Sequence, residues 1–275
     1  MDVQIISGLF DIYLKSTALL DVEDPLIESV RQARNALPPM RIGKHGQLME
    51  WIEDYDERDI GHRHISHAFG LYPAALITRN TPELCRAAEV TLNRRLSGKD
   101  GTFQDSLGWR DMWVAALFAR LHRGNRSYDM LSKYVFKSLQ HNLWEYIDVP
   151  AMGSAFFQID GNLAYVGAVN EMMLQSHEGV VALIPALPDA WHTGSFRGLR
   201  ARGTYELSAA WEQHSVQSFT VTAQKDCVCR IELPATQKAL AFHDEAGTLY
   251  TATDHILHIS MKAGESVTLT ACGEV

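Results

Sequence analysis

Cysteine is scarce: Cys85, Cys227, Cys229 and Cys272 are the four in 275 residues. None sits in a Cys-x-x-Cys pair, which excludes zinc-ribbon and thioredoxin readings. Four scattered thiols in a chain of this length do not make a disulfide framework, and a reducing compartment is expected. Positive charge is in deficit, with 25 Lys and Arg against 33 Asp and Glu for a net charge of −8. That balance lacks the basic footprint of a nucleic-acid binder. The longest apolar runs, such as Val180 to Leu187, fall short of a bilayer span. No basic n-region with an apolar h-region opens the sequence at Met1-Asp2, so neither a secretory signal nor a membrane partner is expected, and a cytoplasmic location is. Low-complexity segments and short tandem repeats are missing too. What remains is an ordinary globular balance, 46% hydrophobic and 21% charged, long enough for one large domain or two smaller ones.

Up to residue 177 the hydrophobic period is helical. Ile5, Ile6, Leu9, Phe10, Ile12 and Tyr13 recur at steps of three and four. Asp24-Pro25 reads as a cap and first-turn proline opening a helix to Leu37, and Pro38-Pro39 stops it. Thr81-Pro82 repeats the signal, with Leu84, Ala88, Leu92 and Leu96 on one face and Gly98 beyond. Trp109, Trp113, Leu117 and Leu121 form the next stripe, Tyr128, Leu131, Val135 and Leu139 another, and Leu163, Val166, Val169 and Met173 the last. With a helix over His67 to Ile77, about seven helices are predicted.

After Ser176 the period becomes two. Tyr205 to Trp211, Phe219 to Ala223, Cys227 to Leu233, Leu257 to Met261 and Val267 to Ala271 alternate apolar with polar, separated by turns such as Ala246-Gly247 and Ala263-Gly264. Cys227 and Cys229 therefore share a side of their strand. Helices followed by strands predict an α+β chain in two domains, residues 1–177 helical and residues 178–275 an antiparallel β-sandwich. The loop Ile184-Pro185-Ala186-Leu187-Pro188 marks the join.

Three polar clusters stand out between the helices. Glu50 and Trp51 follow Gly46-Gln47-Leu48-Met49, and an aromatic face beside a carboxylate suits the C–H face and hydroxyl edge of a sugar ring. A surface Glu beside a core Trp reads equally from the spacing. The acidic stretch Glu53 to Glu57 reads as a solvated loop. His62, Arg63, His64 and His67 lie within six residues, and Arg63 would repel a metal cation. No His-Glu-x-x-His pattern accompanies them, so no metal and no cofactor are expected. Arg63 and His64 suit donation to substrate hydroxyls, although histidines filling a helix start read nearly as well. The third cluster, Gln158, Asp160 and Asn162 behind Phe156 and Phe157, sits at a loop-to-helix junction. There Asp160 is either a plain helix cap or a carboxylate held ionised to act as, or orient, a base.

These clusters, in order, resemble glycoside hydrolase family 95. The residues that carry the likeness are Gly46-Gln47-x-x-Glu50-Trp51, His62-Arg63-His64-x-Ser66-His67-x-x-Gly70-Leu71-Tyr72-Pro73 and Phe157-Gln158-Ile159-Asp160-Gly161-Asn162. Leu174-Gln175-Ser176-His177, Leu183 to Trp191 and Gly198 to Gly203 extend it. The resemblance implies an (α/α)6 toroid, here partial, followed by a β domain. It implies inverting hydrolysis of α-L-fucosyl or α-L-galactosyl linkages, with a fucosylated oligosaccharide as substrate. It implies that Asp160 assists the base side and that Arg63 and His64 contact substrate, with Glu50, Trp51 and Gln158 as further wall residues.

The resemblance also implies missing parts. The family's general-acid Glu lies in a Ser-Pro-Glu-Asn-like segment upstream, and no Ser-Pro-Glu occurs here. An isolated chain without it is expected to be inactive, or to be a carbohydrate-binding or interaction module. The family's His-Pro-Pro before Phe-Gln-Ile-Asp is replaced by Ser154-Ala155-Phe156, and Gly-Trp-Ser by Gly108-Trp109-Arg110. A partial ring leaves helix faces bare, so a homo-oligomer, or association with a missing N-terminal half, is expected to cover the Ile5–Tyr13 stripe. The reading requires Arg63, His64 and Asp160 to share one cavity.

Overall fold

A proline that has no N–H to lose at a first turn, preceded by a threonine, starts the third helix at its predicted place, Pro82. In the computed structural model, which describes residues 1–97, 108–149 and 154–272, the chain divides into two compact units, Met1–Ser106 and Leu107–Val275. The first contains α1 (Asp2–Leu20), α2 (Ile27–Ala36) and α3 (Pro82–Leu96). Asp24 accepts the Leu26 N–H ahead of α2, so its aspartate makes a turn one step before the helix. The helix expected over His67 to Ile77 does not form. A single 3₁₀ turn, Ser66–Ala68, is followed by turns through a cis Tyr72-Pro73 bond. A proline in the middle of the run removes a donor that an α-helix needs. Gly98, the expected stop for α3, lies outside the described residues.

α1 reverses the usual sense of an amphipathic helix. Its buried residues are Gln4 and Ser7, while Ile5, Ile6, Leu9 and Ile12 are 38–64% exposed. Gln4 donates to the His67 carbonyl at 2.8 Å and accepts the Gly70 N–H at 3.0 Å, so it supplies two backbone partners that the turn segment lacks. Asp11 pairs with Arg34 of α2 at 2.8 Å. By length and composition alone α1, 19 residues long, is apolar enough to cross a membrane, with mean hydropathy 1.3 over an 18-residue window.

The second unit opens with α4 (Gly108–Arg120), α5 (Gly124–Lys137), the hairpin β1 (Tyr146–Val149) and β2 (Ser154–Phe157), and α6 (Ile159–Met173). α4 is buried nearly all round; Trp109 and Trp113 of the expected stripe are its least buried residues. It packs on both α5 and α6, and Arg120 pairs with Glu171 of α6 at 2.5 Å. The Leu163–Val166 stripe of α6 faces outward at 66% and 56% exposure, because small Gly161 and Ala168 with Met172 take the inner face. Among the described residues there are thus six α-helices and one 3₁₀ turn.

The β region follows: β3 (Leu174–Gln175), β4 (Val181–Leu183), β5 (Thr193–Ala201), β6 (Tyr205–Glu212), β7 (Ser215–Ala223), β8 (Cys227–Glu232), β9 (Ala241–His243), β10 (Leu249–Thr251), β11 (Ile256–Met261) and β12 (Ser266–Ala271). A six-stranded sheet runs β10-β9-β12-β7-β6-β5 and a four-stranded one β11-β8-β4-β3. Among the described residues, all strand pairings are antiparallel except β4 with β8. Leu207, Trp211, Phe219 and Leu269 from one sheet bury against Cys229, Ile231, Leu257 and Ile259 from the other, the alternation expected of a sandwich core. Six helices and then this sandwich give the α+β order that the two periods predict.

The join to the sandwich is tied at three points. Ile184 N–H donates to the Met173 carbonyl at 2.7 Å, and Ala186 N–H to Met172 at 3.2 Å. The start of α5 comes so near that a Cβ on Gly124 would collide with the Leu187 carbonyl and lie 2.6 Å from that of Ala186. Gly124→Ala should therefore destabilise the second unit by about 1–3 kcal/mol, the cost of overpacking against backbone. Urea unfolding checks it, with an unchanged midpoint as the adverse outcome.

Candidate functional site

The first unit builds a wall from the loop after Arg41. A bridge between Ile42 and Leu48 closes it, and the Leu48 N–H is held by Thr91 of α3 at 2.9 Å. Arg95, also on α3 and 6% exposed in its side chain, reaches out of the helix to two carboxylates: Glu50 at 2.8 Å and Glu57 at 3.3 Å. Arg94 holds the other oxygen of Glu57 at 2.6 Å. Asp54 accepts the Lys44 N–H at 2.6 Å and Gln47 Nε2 at 3.3 Å. The acidic stretch is solvated at Glu53, Tyr55 and Asp56, as its charge suggested, while Asp54 and Glu57 are partly buried against these partners. Buried Arg95 and half-buried Arg94 hold Glu57 there, since a charge leaves water only with a partner.

This wall lines a cleft of about 630 Å³ whose residues include Glu50, Trp51, Tyr55, His62, His67 and Arg95. The Trp51 ring stands at its edge with 65% of its surface exposed. His67 is 2% exposed, its Nδ1 has no hydrogen bond, and it lies 3.8 Å from Glu50 Oε2. Burial first, then the Arg95 charge, pushes its pKa down to about 3, so the ring is neutral at ordinary pH. His64 is shifted the same way by burial and by the Arg63 and His62 charges, and its ring meets that of His62 edge-on at 5.0 Å. Arg63 and His64 themselves are exposed, outside the lining of the cleft.

The second unit holds the other cluster. Gln158 is the residue before α6, and Asp160 lies exposed in its first turn, where helix N–H groups favour a carboxylate. Gln158 Oε1 is buried without a hydrogen bond. Phe157 stacks on Trp144 at 4.8 Å, which sets an aromatic shelf next to these residues. Glu50, Trp51, Arg63 and His64 thus belong to one unit and Gln158 and Asp160 to the other. Among the described residues no group of three or more His, Cys, Asp or Glu could hold a metal ion.

Sequence reading missed Glu145. It is 1% exposed, and its carboxyl lies between the first residue of α4 and the start of α6. Burial pushes it up to about 7; the Gly108 N–H and the Tyr134 hydroxyl, 3.4 Å away, pull against that, while Asp160 and Asp111 push with it. Burial and Glu145 together also raise the Tyr134 hydroxyl. Nothing in the sequence marked Glu145, because what admits it is the absence of side chains at Gly108 and Gly161, far from it along the chain.

Comparison with known proteins identifies the family. The model described as "Glycosyl hydrolase family 95 catalytic domain" matches residues 1–173. The model described as "Glycoside hydrolase family 95, C-terminal domain" matches residues 175–269. "Alpha-L-fucosidase 2" of Arabidopsis thaliana is 39% identical over 239 residues, 84% of this chain and 27% of its own length. "Probable alpha-fucosidase A" of Aspergillus niger is 31% identical over 78% of this chain and 28% of its own length. That of Aspergillus oryzae is 29% identical over 73% and 29%. The chain therefore spans less than a third of the length of these curated relatives.

The Arg95 hub can be tested directly. Arg95→Ala should leave Glu50 and Glu57 without their shared cation and cost on the order of 3 kcal/mol, the low end for a broken buried pair because Glu50 keeps 32% of its side chain in water. Glu28 and Arg31 pair on the surface in full contact with water, so Arg31→Ala should cost far less than Arg95→Ala. Equal costs in denaturant titrations would contradict the difference in burial.

Proposed function

The chain belongs to glycosyl hydrolase family 95, and from that membership and its two polar clusters we propose that it carries the sugar-gripping and water-side parts of an α-L-fucosidase. The observation that carries this reading is Trp51, a large aromatic ring left exposed at the edge of a cleft whose carboxylates are fixed by arginine. An exposed indole offers its face to the apolar C–H side of a deoxy-sugar, while Glu50 beside it accepts hydroxyl protons. Arg63 and His64, exposed beside the lining residue His62, reach the outer hydroxyls of the sugar in this proposal.

Inverting hydrolysis sets an acid and a water-activating carboxylate roughly 6.5–9.5 Å apart across the glycosidic bond. In this proposal Asp160, exposed in the first turn of α6, serves the water side, accepting a proton from the attacking water or orienting it. The leaving-group oxygen needs a protonated acid, and we assign that role to a residue outside these 275. General acid assistance is commonly worth about 10²–10⁴-fold, so the isolated chain binds the sugar without turning it over at a useful rate.

A second reading, a carbohydrate-binding module without catalysis, draws on Ser154 standing where the resemblance places a histidine. Titration calorimetry with L-fucose, beside release of L-fucose from an aryl α-L-fucoside, separates the possibilities. We expect binding without turnover for the isolated chain, and a loss of about tenfold or more in affinity for Trp51→Ala, from the aromatic contact. Turnover by the isolated chain would overturn the external acid, and absence of binding would overturn the sugar site.

The proposal also gives the α1 stripe a protein partner, a second copy or a separate chain. Ile5, Leu9, Ile12, Leu19 and Leu20 are 42–84% exposed, a patch of the kind that drives association. Light scattering at micromolar concentration should give at least a dimer, and Leu9→Glu with Ile12→Glu should return a monomer. A monomeric unmodified chain would count against it.

A further inference from the structure

Glu145 is a buried carboxyl that the proposed reaction leaves unused. Its side chain enters the gap between two helix starts: a Cβ at Gly108 would collide with Oε1, and one at Gly161 with Oε2. Helix starts carry backbone N–H groups with no partner inside the helix, and the Gly108 N–H is answered by this carboxyl. Its main chain is used as well. The Glu145 N–H donates to Asn162 Oδ1 at 3.0 Å, and its carbonyl accepts the Gln158 N–H at 3.0 Å. Asn162 Nδ2 in turn donates to the Leu143 carbonyl at 2.8 Å. Gln158 and Asn162, on the two sides of Asp160, are thus hydrogen-bonded to Glu145 or to Leu143, and Gly161 packs directly against the Glu145 carboxyl.

We infer that Glu145 is the positioning residue for Asp160, fixing the first turn of α6 with its carboxyl between two glycine backbones and its main chain on Gln158 and Asn162. The consequence for hydrolysis rests on the water-side reading of Asp160; the tether does not. The groups that face Glu145 are Asp111 of α4, itself paired with Arg110 at 3.1 Å, Tyr134 of α5, with Tyr165 of α6 stacked behind it, and Asp160 of α6. Among the described residues, the charged groups that act on its titration are the carboxyls of Asp160 and Asp111, so ionisation adds a charge beside other carboxylates at a buried position.

The direction of the pH effect follows. Between the ordinary glutamate value of 4.5 and about 7, the folded chain holds a proton that the unfolded chain has released. The contribution to stability is complete below that interval and is lost as pH rises through it. The tether therefore changes charge near neutral pH, and the amides around it register the change.

The test is a ¹⁵N NMR titration of the full chain between about pH 4 and pH 9, read at the Gly108, Asp160 and Gly161 amides, with hydrogen exchange of the first turn of α6. We expect one shared step centred near pH 7. Glu145→Gln, which keeps an acceptor oxygen but no proton to release, should abolish the step and retain exchange protection. Glu145→Ala should lower protection in that turn by roughly tenfold or more, and Glu145→Asp, one methylene short of the gap, should not restore it. A step that survives Glu145→Gln, or unchanged protection in Glu145→Ala, overturns the inference. If Glu145→Ala does not fold, the titrations of the unmodified chain and Glu145→Gln decide it. L-fucose affinity is measured on the same samples: binding without the amide step refutes the tether and spares the fucosidase reading, and the step without binding does the reverse.

Discussion

A charge taken out of water must bring a partner with it, and both polar clusters of this protein are organised by that constraint. Arg95 leaves the surface of α3 with only 6% of its side chain exposed and is answered by Glu50 and Glu57, which fixes one wall of the cleft. Arg120, 2% exposed, is answered by Glu171, which fastens α6 to α4. Buried pairs of this kind add little net stability beside an apolar core, because their attraction is spent against desolvation. What they supply is position. The carboxylate of Glu50 stands where Arg95 holds it, and α6, which carries Asp160, stands where Arg120 and the small residues of its inner face allow.

The fold was largely legible because its periods are long and clean. The change from steps of three and four to steps of two after Ser176 follows from the sandwich core, whose residues alternate inward along β6, β7, β8 and β11. The start of α3 was legible at Thr81-Pro82, where chemistry is local, although the Thr81 hydroxyl bonds back to Thr78 and does not cap the helix. The segment after His67 was not, since its apolar residues Ala68, Leu71 and Ile77 bury in a run of turns and not in a helix. Periodicity reports which residues avoid water and leaves the path of the backbone between them open.

The clusters were legible unevenly, for the same reason. Glu50, Trp51, Arg63, His64, Gln158 and Asp160 are marked by their neighbours in the chain. Arg95, His67 as a neutral buried ring, and Glu145 are marked only by what meets them in space. Arg95 reads as one more cation at the end of an amphipathic helix until the loop carboxylates fold against it. Glu145 reads as a polar residue beside a strand until two glycines about forty and sixteen positions away leave room for it. Glycine pairs that admit a side chain carry no periodic signal.

The inverted faces of α1 and α6 follow from the same economy of partners. The turns after His67 have backbone groups that no helix satisfies, and Gln4 supplies both a donor and an acceptor to them. Once Gln4 and Ser7 occupy the inner face of α1, the 3.6-residue period puts Ile5, Leu9 and Ile12 elsewhere on the helix. In α6 the inner face is claimed by Gly161 and Ala168, whose small size lets α4 approach, and the larger Leu163 and Val166 are turned outward. In neither helix is the outward apolar stripe a failure of burial. Each is what remains when the inward positions are assigned to hydrogen bonding and close packing. Both helices lie within the stretch matched by the family's catalytic domain, so the surface available for association is set by the same residues that hold its loops in place.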